Sequence, residues 1–135
     1  AVWYSANVSG VPLNDFCEMR GHYDHLASEK KIADDVKNAA YNIISKKHAT
    51  YYGIAMSVRR LCTAIMRDEK HILPVSSLMV GEYGLDDICI SMPTIVGRDG
   101  VECRVPVSLS NEEYAELHRS ADALKDVMSN VDFEA

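Results

Sequence analysis

Side chains able to do chemistry are thinly spread along this chain. Of its five histidines, only His22 and His25 stand close together, in Gly21-His22-Tyr23-Asp24-His25. Two histidines and an aspartate are a start on a metal site, but no further ligands follow at metal spacing, so the stretch reads as a solvated turn and no metal is expected. Cys17, Cys62, Cys89 and Cys103 never form a Cys-x-x-Cys pair, which fits neither a zinc motif nor a small disulfide framework. His71, at the entrance to a strand, and His118, on the polar side of a helix, read as surface or packing residues. There is no Gly-rich phosphate loop, no Gly-x-Ser-x-Gly elbow and no His-Glu-x-x-His helix. What stands out is the stretch KHATYYGIA, Lys47 to Ala55. It joins two helical patterns without a Gly/Pro loop, and either kinks a helix or points Thr50, Ile54 and their neighbours into a site. In the plainer reading Thr50 is an N-cap, Ile54 the first core residue of the second helix, and Ala39 and Ala40 allow close helix packing.

Composition sets the frame for these residues. A chain of 135 residues that is 47% hydrophobic and 25% charged describes one soluble globular domain. A net charge of -6 argues against a nucleic-acid or anionic-membrane partner, since phosphate binding needs clustered Lys and Arg. No apolar run approaches the roughly 20 residues that span a bilayer, and no basic segment leads into an apolar one at the N-terminus. A cytoplasmic protein is expected.

The elements follow from periodicity. Residues 1–27 show no clear period, with a β-leaning start and a short helical piece in VPLNDFCEM. From Ser28, read as an N-cap, Ile32, Val36, Ala39, Ala40, Ile43 and Ile44 recur at helical spacing, and Lys46 and Lys47 suit the negative end of the helix dipole. A second helix is expected over 51–68, with Ile54, Val58, Leu61, Cys62, Ile65 and Met66 on one face. The period then falls to two: 72–80, 88–92 and 101–109 read as strands, with a hairpin turn at 97–100. Symmetric pairing about that turn sets Cys89 opposite Ser108. Pro74, Pro93 and Pro106 mark these strands as edges or bulged. Ser110 to Glu113 has the form of a capping box and opens a last helix with Tyr114, Leu117, Ala121, Leu124, Val127 and Met128 on its apolar side. The fold class is α+β, long helices packed on an antiparallel sheet, as one domain.

The segments AVWYSANVSGVPLNDF, AAYNIISKKHATYYGIAMSV, ILPVSSLMVGEYG, DICISMPTIVGRDGV and LSNEEYAELHRSADALK, in this order and nearly end to end, resemble the C-terminal, substrate-binding half of the bacterial-type NAD-dependent L-lactate dehydrogenases of the lactate/malate dehydrogenase family. The resemblance implies a Rossmann domain upstream, and the missing Gly-rich fingerprint means that these residues do not contain it. It places the family's catalytic histidine, in a Gly-Glu-His-Gly motif, just upstream of Ala1, so no residue here is assigned a catalytic role. GEYG at 81–84 mimics that motif with Tyr83 in place of histidine, yet its position matches a structural turn.

What the resemblance carries over is the junction. Thr50 matches a threonine facing the substrate pocket, and Ile54 an isoleucine packed on the nicotinamide ring of NAD. Ala39 and Ala40 match small residues near the pocket mouth. The four-residue offset stacks Thr50 and Ile54 on one face of the helix start. The implied partners are a small 2-keto or 2-hydroxy acid, the N-terminal nucleotide-binding half and further copies in a homo-oligomer. The 135 residues alone are expected to be inactive. Two rivals stand beside this reading: a non-catalytic interaction module that keeps the fold, and the same domain of a related 2-hydroxy acid or malate dehydrogenase.

Overall fold

The computed structural model describes residues 2–131. They fall into two compact units, one ending at Arg60 and one beginning at Leu61. In the first, the β-leaning start becomes a minimal hairpin, β1 (Asn7–Val8) against β2 (Val11–Pro12), with Val8 paired to Val11. Ser9 and Gly10 both take positive φ, 54° and 86°, as a two-residue hairpin turn requires. The Asn7 side chain steadies it by accepting from Gly10 N–H at 3.2 Å. Helix α1 (Leu13–Met19) follows, the helical piece anticipated within VPLNDFCEM.

Helix α2 runs from His25 to Lys47, so Ser28 is not its N-cap. The Asp24 carbonyl already accepts from the Ser28 N–H at 3.3 Å and from its hydroxyl at 3.2 Å, which places Ser28 inside the first turn and takes His25 out of the expected loop. No residue of α2 is buried. Helix α3 (Tyr52–Arg67) carries the chain into the second unit and ends within one residue of the expected 51–68.

Strands β3 (His71–Val80), β4 (Asp86–Gly97) and β5 (Gly100–Arg104) form an antiparallel sheet in the order β3-β4-β5. The capping box is present: the Ser110 hydroxyl accepts from Glu113 N–H at 3.2 Å, and the Glu113 carboxylate from Ser110 N–H at 3.0 Å. It opens α4 (Asn111–Ser129). One sheet face buries Met79, Ile88 and Met92 with Leu85 and with Ala121 of α4, flanked by Tyr83, Ile90 and Leu117. The class is thus α+β, as expected, and among the described residues every strand pair is antiparallel.

Two expectations about the sheet need correction. Val96 pairs with Val101 and Gly97 with Gly100, but a bulge then shifts the register, so Ile95 faces Cys103 and Thr94 faces Arg104. Cys89 pairs with Leu78 on β3, not with Ser108, because β5 stops at Arg104 instead of reaching residue 109. Pro106 has no N–H to continue the ladder. Pro93 lies in the central strand, which is bulged between Ile95 and Val96, within the expected choice of edge or bulge. Its carbonyl accepts from Val105 N–H at 2.8 Å, and a strand residue's N and O point to the same side, so its missing donor falls where β5 has already ended. Pro74, paired with Pro93, likewise turns its nitrogen to the open edge.

Candidate functional site

The junction between α2 and α3 is built by His48. It adopts the left-handed conformation, φ 63°, and donates from N–H to the Ile44 carbonyl at 2.7 Å, a helix-ending role that glycine usually takes. The Tyr51 carbonyl accepts from Ala55 N–H at 2.9 Å, so Tyr51, not Thr50, holds the N-cap position of α3. Thr50 therefore precedes the helix and is half-buried. The stacking of Thr50 on Ile54 by helical offset does not apply, because only Ile54 is helical. Ile54, in the first turn of α3, is 60% exposed, an apolar side chain on open surface. Ala39 and Ala40 lie in α2 and are exposed. Tyr51 and Tyr52 also face solvent.

The second unit holds a constellation that the sequence pattern hid. A cleft of about 620 Å³ is lined by Glu82, Tyr83, Met92, Arg104 and residues 105–108. Arg104, at the end of β5, reaches across the sheet to β3. Its Nε donates to Ser77 Oγ at 3.2 Å, and its remaining nitrogens donate to the Leu78 carbonyl and pair with the Glu82 carboxylate. Val80 N–H donates to Glu82 Oε2 at 2.7 Å. The Val80 amide, Glu82's own amide and then the Arg104 guanidinium hold the Glu82 carboxyl below its ordinary range. Arg104 falls within the alternating run 101–109, in which a charged residue is unremarkable. Only the register reveals that it spans three strands.

His118 takes the packing role of the two expected for it. It is half-buried, and its Nε2 lies 2.9 Å from the Tyr83 carbonyl, which also accepts from the Tyr114 hydroxyl at 2.8 Å. Since a carbonyl only accepts, His118 Nε2 must carry a proton. These contacts give GEYG the structural role its position suggested. Among the described residues no three of His, Cys, Asp and Glu gather as a metal site would require.

Among the described residues neither region contains a nucleophile–base pair or an acid–base dyad, and the reaction the scaffold serves is indicated by its relatives. The family model for the lactate/malate dehydrogenase alpha/beta C-terminal domain matches residues 1–134. An L-lactate dehydrogenase from Acetivibrio thermocellus is 45% identical over 132 residues, which are 98% of this chain and 42% of the relative. L-lactate dehydrogenase 1 of Clostridium acetobutylicum is 44% identical over 131 residues. Among solved structures, the ligand-bound minor L-lactate dehydrogenase of Enterococcus mundtii superposes with a TM-score of 0.89 at 41% identity, over 99% of this chain and 42% of that one. The chain thus spans less than half the length of the relatives it matches.

Proposed function

We propose, for a chain that belongs to the lactate/malate dehydrogenase family as its alpha/beta C-terminal domain, that it is the substrate-binding half of an L-lactate dehydrogenase interconverting pyruvate and L-lactate with NAD(H). The near end-to-end likeness to L-lactate dehydrogenases is the observation that carries this reading. The acid–base histidine and the nucleotide fold then lie outside these residues, in an N-terminal half that docks with them in a cytoplasmic homo-oligomer. No helix of the described residues is long and apolar enough to cross a membrane, which is compatible with that compartment.

The exposed Ile54 fits a cofactor ring, because an apolar side chain open at a helix start can cover a flat aromatic face and keep water from it. Bound NADH supplies the hydride. Thr50, small and polar, borders the keto acid and limits the length of its side chain; Ala39 and Ala40 keep the pocket mouth open. Holding the acceptor still and dry is what this half contributes.

A second reading, a non-catalytic assembly module, draws on the apolar residues that α2 leaves exposed, Ile32, Val36, Ile43 and Ile44. Complementation separates the two. Alone, the chain should not oxidise NADH with pyruvate; mixed with an N-terminal half carrying the Gly-Glu-His-Gly segment, it should. Turnover by the chain alone sinks the proposal, and so does a stable complex of both halves that stays inactive. In the restored enzyme, Thr50→Gly should raise kcat/KM for a longer 2-keto acid relative to pyruvate about tenfold, the range expected of one or two methylenes. No change in that ratio would leave Thr50 as a mere spacer before α3.

A further inference from the structure

Pro106 ends the β4–β5 ladder, and Val105 makes its last backbone bond, to Pro93. Residues 106–109 then run without helix or strand to the cap of α4 at Ser110. Half-buried backbone in such a segment needs partners, and a side chain supplies them. The Tyr83 hydroxyl accepts from Val107 N–H at 2.7 Å and donates to Val107 C=O at 2.9 Å. A phenol can do both at once, having one proton and free lone pairs. One hydroxyl thus stands in for the strand that Pro106 denies to Val107.

Tyr83 is held for this task. Its φ of 55° lies in the left-handed region, between Gly81 at 98° and Gly84 at 70°, a conformation disfavoured for a residue with a side chain. Tyr114 and His118 of α4 fix it by donating to its carbonyl. The fit is close: a Cβ on Gly84 would meet the Tyr114 hydroxyl at 3.3 Å. The turn is therefore anchored to the body of the unit, and the segment hangs on the turn by its middle residue. Its ends are fixed independently, by Arg104 on Glu82, Ser77 and Leu78 at one side and by the capping box at the other.

We propose that residues 106–109 form a hinged strap and that the Tyr83 hydroxyl is its catch. Released, the strap swings away from Tyr83 and Met92 and widens the cleft it lines with them. The hinges are Val105 and Ser110. This device does not depend on the dehydrogenase reading, since every residue in it lies in the second unit.

Amide hydrogen exchange on the full-length protein tests it without a variant first. Strap amides at Val107 and Ser108 should exchange by local opening, at rates nearly independent of low denaturant, while β4 amides at Ile88 and Met92 should show the steep dependence of global unfolding. An equally steep dependence in the strap overturns the proposal. Tyr83→Phe keeps the ring and removes both bonds. It should speed exchange at Val107 and its neighbours about tenfold or more, the usual effect of orphaning partly buried backbone groups, with the weak denaturant dependence kept. No acceleration in the strap, or one that appears only with the steep dependence of global unfolding, would show that the hydroxyl is no catch.

Discussion

Val36 of α2 and Ile88 of β4 are both β-branched, both at positions where the apolar period predicts burial, yet Val36 is 71% exposed and Ile88 is 1% exposed. The same contrast runs through the two units. In the second, the sheet face and α4 close on Met79, Ile88, Met92 and Ala121. In the first, α2 keeps its apolar stripe and buries nothing. Periodicity specifies which face of an element is apolar; it does not say what covers that face. A strand acquires neighbours through its own ladder, while a helix with satisfied backbone waits for another surface.

The largest effect should separate those two residues. Ile88→Ala should cost the chain about 2–5 kcal/mol by leaving a cavity in a closed core, whereas Val36→Ser should stay within about 0.5 kcal/mol. Denaturant unfolding of both variants checks this, and a loss above about 1 kcal/mol for Val36→Ser would break the comparison by showing that α2 is covered in solution. Next, Ser110→Ala should lower stability by about 1 kcal/mol, since it opens the capping box that starts α4. Thermal melts of that variant should match those of Glu113→Ala if the two groups act as one unit.

Smaller still, and opposite in sign, His48→Gly should stabilise the first unit by about 0.5–1 kcal/mol, because φ 63° costs a histidine what it does not cost a glycine. A destabilised His48→Gly would mean that the imidazole makes contacts worth more than that strain. The pH dependence of the cleft should be the mildest effect. With its folded-state pKa below the ordinary 4.5, Glu82 contributes fully above that value and loses its contribution as pH falls through the lowered one. Stability followed from pH 6 to about pH 3 should therefore fall less steeply in Glu82→Gln than in the parent, across the carboxylate range. Parallel curves would show that Arg104 holds its place without the charge.

Much of this was legible in the chain itself. The helices appear close to where the 3.6 period put them, because amphipathic spacing and caps are local properties; Ser110 and Glu113 announced α4 from four residues. The strands appear because alternation is local too. The misplacements have one kind of cause. The start of α2 moved to His25 because the Asp24 backbone, which no pattern marks, accepts the first helical bond. The register slipped past Val96 because a bulge depends on how two strands twist together.

For the candidate site, the junction at Thr50 and Ile54 stood out by its pattern, but only the resemblance favoured a site there, since nothing in its own spacing separates a pocket wall from a helix start. The Tyr83 and Arg104 constellation was marked in the sequence only by GEYG as a turn, and nothing marked what Tyr83 and Arg104 would reach. Its members lie 22 residues or more from their side-chain partners on other elements, Glu82 for Arg104, Val107 for Tyr83 and His118 for the Tyr83 carbonyl. Sequence by itself determined the family, the α+β class and the apolar face of each element, because these rest on local periods and on motifs in fixed order. Tertiary structure alone decided which of those faces were closed, where Pro106 freed the chain from the sheet, and which hydroxyl took it up. Those outcomes depend on distances between residues far apart in the chain, and only the closed ladder fixes them.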